Sequence, residues 1–413
     1  MNLVAIDHLK TGMINTEEVR TPEGRLLLKK GIPLTEQHLR VFKIWDISEV
    51  SIEVSEGKDN MEEQLEKVPL ELLTAAESLV PLFFGNTDMH HENMRELIRI
   101  FIQRTANEMS VEGMEPVLDR YRTRYNPPLV TLRVGTFPLS MEEVLNRKIK
   151  LASLPQTMQD LLDALDGQQS SASAIANIIG RDVSLSAKIL QIVNSSFYGF
   201  PKRIDSLSRA VTILGGRQLQ MVTMGISVMS VFKNIPVELL DMNSFWRHSI
   251  SCGVLCKCMA EKFVVANEER LFLGGLLHDL GRLIMLQENP GTVTAAISLA
   301  REKGLPLHEA EKELWGFDHN QLGAEFLQAW NFPTALVDGI RYHHLPRKNN
   351  LEASIIHMAD AIAHAAFLGC SGAYQLAPVV STAWETINFS RPSLETLIKM
   401  AEYQEKELVS ILA

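Results

Sequence analysis

The sequence predicts a mainly α-helical protein: a long helical body behind a small α+β module. Three observations carry this. Residues 1–55 alternate short apolar runs with turn residues, residues 62–125 show helical apolar spacing, and residues 140–413 run helix after helix with Gly and Pro as punctuation. At roughly 150 residues per domain, a 413-residue chain has room for two or three units.

In the first unit, Val4, Ile6 and Leu9, the turn Thr11-Gly12-Met13, Val19, the turn Pro22-Glu23-Gly24 and Leu26 to Leu28 read as short strands. Thr35-Glu36-Gln37-His38 suits a helix start. Ile47, Val50, Ile52 and Val54, set among Ser48, Glu49, Ser51 and Glu53, predict a strand with one buried face. Residues 56–61 are polar and read as a linker. In the connector, Leu65, Leu70, Leu73, Leu97, Ile98 and Phe101 form fragments of a buried stripe over two or three helices, and His90-His91 reads as a loop or helix start. Asn126-Pro127-Pro128 breaks the helical pattern, and residues 130–137 suit a short extended segment.

The body opens on amphipathic helices. Ile175, Ile178 and Ile179 form one apolar face; Leu185, Ile189, Ile192 and Val193 form the next, behind Asp182 and Ser184 as a helix start. Asn194 to Gly199 is a turn-rich break. The tail, from Ser393, reads as a final amphipathic helix that closes the bundle or pairs with another chain.

Hydrophobic residues are 46% of the chain and charged residues 22%, enough to bury a core. The net charge of −10 argues against general nucleic-acid binding, because phosphate neutralisation needs a local excess of Lys and Arg. It leaves room for a small basic pocket for a phosphorylated ligand; Arg341, Arg347 and Lys348 are candidates, with a solvated basic loop as the alternative. Met1 to Ile6 is too short for a secretory leader, and no apolar run reaches the roughly 20 residues that cross a bilayer. Cys252, Cys256 and Cys258 crowd one apolar segment and Cys370 stands apart, a pattern that suits a reducing compartment and buried small residues. A cytoplasmic protein is the expectation.

The second half is dense in metal-capable groups: His248 after Trp246-Arg247, the doublet His278-Asp279, His319 in Gly316-Phe317-Asp318-His319, His343-His344 at the end of an apolar helix, and Asp360 among small residues. Adjacent His278 and Asp279 cannot point the same way along one helix. Both reach one point only near a helix end, and Gly281 is compatible with that.

The order of motifs carries a resemblance. LPQT at 154–157, RDVSLSAKILQIVNSSFYG at 181–199 and SLSRAVTILG at 206–215 are followed by FWRHSISCG, GGLLHDLGR, ELWGFDHNQLGAEFLQAWNFP, IRYHH and ADAIAH. Over residues 143–365 this closely resembles the HDOD family, a relative of the HD metal-dependent phosphohydrolases. Residues 1–55 resemble the small regulatory module that precedes HD-GYP domains in bacterial signalling proteins. The resemblance implies an all-helical HD-like domain, with His248, His278, Asp279 and Asp360 holding one metal and His319, His343 and His344 lining the same pocket for a second. Fe or Mn would accept this imidazole–carboxylate mixture. His308, His357 and His364 match no ligand position and read as packing or surface residues.

The HDOD family generally works as a signalling or scaffolding module with an eroded catalytic constellation, whereas this chain keeps the full ligand set. Two departures count against turnover. Arg282 follows the doublet where HD-GYP phosphodiesterases have Lys, and Leu345-Pro346-Arg347-Lys348 replaces their Gly-Tyr-Pro loop. The expectation is therefore a metal-binding signalling output or scaffold with a protein partner, and a homodimer as one arrangement. The alternative is a metal-dependent phosphohydrolase acting on nucleotides or cyclic dinucleotides.

Overall fold

The structure, a computed structural model, describes residues 2–6, 9–20, 26–35, 38–39, 42, 47, 49–52, 68–85, 87–125, 140–151, 156–166, 171–200, 202–232, 235–237, 239–263, 267–348, 350–373, 375–387 and 391–412. The expected turn at Pro22 to Gly24, the linker at 56–61, the Asn126-Pro127-Pro128 breaker and the extended segment at 130–137 lie outside them.

Among the described residues, two antiparallel strand pairs build the N-terminal module. Strand β1 (Asn2–Ala5) pairs with β4 (Glu49–Ile52), with Val4 opposite Val50, and β2 (Val19–Arg20) pairs with β3 (Leu26–Leu28). Leu9, Val19, Leu28, Leu34, Phe42, Ile47, Val50 and Ile52 form its core. The expected one-sided alternation of β4 fails at Ser51, which is buried between Val50 and Ile52. Its hydroxyl meets Thr16 Oγ1 at 2.8 Å and its carbonyl accepts from Thr16 N, so a polar side chain is satisfied on the second face.

A separate, larger core runs from Ala76 to Leu408. The connector supplies four helices among the described residues where two or three were expected: Leu70–Glu77, Val80–Phe84, Glu92–Glu112 and Met114–Tyr125. Gly113, at φ 95°, splits the last two. Leu97 and Phe101 are fully buried, but Leu70, the first residue of its helix, is 77% exposed. His91 sits at the N-cap position of the Glu92 helix, makes no capping hydrogen bond with its side chain, and stacks on Trp384.

Beyond them the apolar faces pack as the periodicity predicts. Ile175, Ile179, Ile189, Ile192 and Val193 are all essentially inaccessible. The side chain of Asp182 accepts from Leu185 N and caps the Val183–Val193 helix.

The centre of the body is the 22-residue helix Met242–Phe263, flanked by Glu268–Leu277, Leu351–Ala365 and the tail helix Arg391–Leu412. The tail closes the bundle: Leu394, Ile398 and Leu408 are buried, and buried Glu405 accepts from Arg247 at 2.6 Å and from Ser251. Glycine lets the central helices touch backbone to backbone. A Cβ on Gly275 would lie 2.6 Å from the Cys252 carbonyl, and one on Gly281 would lie 1.9 Å from the His319 carbonyl. These two contacts bring Cys252 and His319 close to the His278-Asp279 doublet.

Candidate metal centre

The doublet sits at a break between two helices. His278 ends Glu268–Leu277, and Asp279, at φ −98° and ψ 13°, opens Leu280–Glu288. That change of direction lets adjacent residues face one space. His248 comes from the central helix and Asp360 from Leu351–Ala365. His319 is the first residue of His319–Ala329, whose start is fixed by an Asp318–Gln321 capping box. His343 and His344 follow the helix Thr334–Arg341.

All seven residues singled out in the sequence meet in one buried region, as two adjoining groups. His248, His278 and Asp360 form the first together with Cys252, and Asp279, His319, His343 and His344 form the second; within each group the ligand atoms lie within 4.8 Å of one another. In the first, Asp360 Oδ1 is 3.1 Å from His248 Nε2 and 3.8 Å from His278 Nε2. In the second, Asp279 Oδ1 is 3.0 Å from His319 Nε2 and 4.0 Å from His343 Nε2, and His344 Nε2 is 3.1 Å from His319 Nε2. The groups join at the doublet, where His278 Nε2 lies 3.3 Å from Asp279 Oδ2.

The tautomers are set by the backbone. His278 Nδ1 donates to the Gly275 carbonyl at 2.8 Å and His343 Nδ1 donates to Ile340 at 2.7 Å, so both rings turn Nε2 to the centre. Those two Nε2 atoms and both carboxylate oxygens of Asp279 are buried without a hydrogen-bond partner among the described residues. Buried polar atoms are ordinarily paired, and four converging orphans of the types that ligate metals fit a metal ion. His319 Nδ1 meets Glu311 Oε2 at 2.5 Å, the carboxylate–imidazole support common behind metal-binding histidines.

The electrostatics follow from burial and neighbours. Burial opposes charge on His278, but the Asp279 and Asp360 carboxylates overcome it and push its pKa up to about 10. Burial likewise opposes ionisation of Asp279, which Arg282 and His278 hold well below the usual carboxylate range. Asp360 is held well below that range too, against its burial, by His248 and His278. His319 is raised by Glu311 against its burial. Burial and the His278 charge depress His343 to about 3, and burial and His343 hold His344 well below its ordinary value.

Several neighbours escaped the sequence reading. Cys252, expected as a buried small residue, is fully buried with Sγ 3.5 Å from His248 Nε2. Its position four residues after His248, on the same helix face, was the available signal. Glu311 had none. Arg282 is buried, bound to the Ser371 carbonyl and hydroxyl, and lies 3.4 Å from Asp279 Oδ1 and 3.4 Å from His319 Nε2. His308 is a packing residue as expected, but it packs on the cluster, stacked on His344 at 4.3 Å. Arg341 is not a free anion site: Glu325 and Gln328 take its guanidinium, and Arg347 lies over the Tyr342 ring.

The HDOD domain family matches residues 151–346. A solved structure from Shewanella amazonensis SB2B, described as a "Putative phosphohydrolase", is 26% identical, with a TM-score of 0.53 over 65% of this chain and 98% of that one. A "Putative signal transduction protein" from Marinobacter aquaeolei VT8 is 18% identical, with a TM-score of 0.51 over 71% of this chain and 66% of its own. An uncharacterised protein of Treponema pallidum (strain Nichols) is 26% identical over 195 residues, 47% of this chain and 37% of that relative's length. No helix among the described residues is long and apolar enough to cross a membrane. Motif order, matched segment and helical architecture agree: this chain carries an HDOD domain.

Proposed function

We propose that the chain is a signal-transduction output or scaffold protein whose HDOD domain binds metal and turns over substrate weakly or not at all. The observation that best supports this is the sealing of the cluster. His278, His319 and His343 have no exposed surface, His248 and Asp279 have 1% and His344 has 4%; Asp360, with 16% of its side chain accessible, is the most exposed of the seven. Phosphoryl chemistry needs the ester positioned against an attacking oxygen and a group to help the leaving oxygen. Buried ligands, with the Arg282 guanidinium held beside Asp279 and His319, close that approach.

His248, His278 and Asp360 would hold one ion, and Asp279, His319, His343 and His344 a second. Fe or Mn suits these imidazoles and carboxylates. A bound ion would supply Lewis acidity and tie three helix junctions to the two helices that carry His248 and Asp360, so its larger effect here is on stability and shape. The output then passes to a signalling protein, with a second copy of the chain or a phosphorylated small ligand as further partners to test. A bacterial cytoplasm fits the four free cysteines.

The adjoining groups of four donors favour one second reading, a metal-dependent phosphohydrolase acting on nucleotides or cyclic dinucleotides. Elemental analysis and turnover assays separate the two. Full-length protein should carry one or two ions, His278→Ala or Asp279→Ala should lose most of them, and the loaded protein should hydrolyse these substrates negligibly. Unchanged metal content in both variants would remove the metal claim. Rapid hydrolysis abolished by the same substitutions would put the enzyme in place of the scaffold.

A further inference from the structure

We infer that Cys252 is a ligand of the first metal position, making it a closed site of two imidazoles, one thiolate and one carboxylate. This rests on the metal-binding reading above and specifies the chemistry of one of its positions. His248 and Cys252 are four residues apart on the central helix and so project from the same face. Their ligand atoms, with those of His278 and Asp360, lie within 4.8 Å of one another.

The spacing suits one small ion. A tetrahedral centre with bonds of about 2.0–2.1 Å to nitrogen or oxygen and about 2.3 Å to sulfur has ligand–ligand edges of roughly 3.3–3.6 Å. The observed separations straddle those edges: 3.1 Å from His248 Nε2 to Asp360 Oδ1, 3.5 Å from His248 Nε2 to Cys252 Sγ and 3.8 Å from His278 Nε2 to Asp360 Oδ1. The buried His278 Nε2, without a hydrogen-bond partner among the described residues, faces the same space.

Two consequences follow. Four protein ligands complete a tetrahedron, the arrangement of structural sites, whereas catalytic sites keep a position open. A thiolate also shifts preference from Mn toward thiophilic ions such as Zn, Co or Fe. On binding, the Cys252 proton passes to solvent and sulfur donates its electron pair to the ion; no oxidant or reductant takes part.

The test is a Co(II) titration of metal-free, full-length protein under reducing conditions, read by absorption and by elemental analysis. The wild type should develop an intense near-ultraviolet sulfur-to-cobalt band together with the visible bands of a tetrahedral ion. The charge-transfer band should vanish in Cys252→Ser and survive in Cys256→Ser, Cys258→Ser and Cys370→Ser. Zn competition should show affinity weakened at least roughly tenfold in Cys252→Ser, a loss that removing even an outer partner of a metal ligand reaches. If Cys252→Ser does not fold, survival of the band in all three other variants still assigns it to Cys252. Bound cobalt without a sulfur band, or a band that persists in Cys252→Ser, would overturn the inference and leave the metal reading standing. A wild type that binds no cobalt and carries no other ion would overturn both.

Discussion

The N-terminal module and the metal centre each bury polar side chains, and they treat them in opposite ways. Asn15, with no exposed surface, donates to the Glu17 and Lys29 carbonyls at 2.6 and 2.7 Å and accepts from Ile32 N at 2.7 Å. Every polar atom of that side chain is used, as a structural role requires. The centre buries His278, His343 and Asp279 equally deeply and leaves their converging atoms without a hydrogen bond, facing one another and His319 only as ion-pair contacts of 3.0–4.0 Å. Desolvating a polar group without a partner costs about 1–3 kcal/mol. A fold that tolerates four such atoms in one space points to a ligand that pairs them. Depth of burial therefore says little about function; whether the buried atoms are satisfied says much more.

Three experiments would break or sharpen this contrast. The largest effect is expected at Gly281, where a Cβ would strike the His319 backbone. Gly281→Ala should destabilise the body by about 3 kcal/mol or more, since overpacking of this kind falls at or above the upper end of its usual 1–3 kcal/mol cost, and should lower metal content by separating Asp279 from His319. Thermal melts with elemental analysis test this; a variant with wild-type stability and metal would show that the close helix contact does not set the cluster.

Next comes Asn15→Ala, which leaves one donor and two acceptors of the module unpaired and should cost about 2–4 kcal/mol. Metal content should not change. Loss of metal in this variant would tie the two regions together and blunt the contrast.

The smallest effect is a pH dependence of the module. Burial lowers His38 from its ordinary 6.5 to about 4; its Nδ1 accepts from Thr35 N, and Gly199 of the body packs beside the ring. The unfolded state binds this proton below pH 6.5 and the folded state only below about 4, so stability falls as pH drops through that window and levels off beneath it. The contribution is at most about 3 kcal/mol. Denaturant melts between pH 7 and 4 should show that loss, reduced in His38→Gln; the same slope in the variant would place the acid sensitivity elsewhere.

Much of the fold was legible because it is local. Apolar spacing placed the helices around Ile175 and Ile189, Asp182 marked a helix start, and the order of motifs from Leu154 to His364 pointed to the HDOD resemblance and through it to seven ligand candidates. Local pattern failed where a neighbour distant in sequence decides the outcome. Ser51 is buried where Thr16 satisfies it, and Leu70 is exposed while Leu72 and Leu73 of the same turn pack on the core.

By itself, then, the chain determined its helices, their caps and the identity of the metal-capable residues, since these depend on residues a few positions apart. Only the tertiary structure decided how those residues divide: His248 and Asp360, 112 positions apart, into one group with Cys252, and Asp279 with His319, His343 and His344 into another, with Arg282 held between Ser371 and His319. Separations of 3–4 Å between ligand atoms are set by how closely helices pack. At Gly275 and Gly281 that closeness rests on the absence of a side chain, which shows its effect only once the opposing backbone is in place.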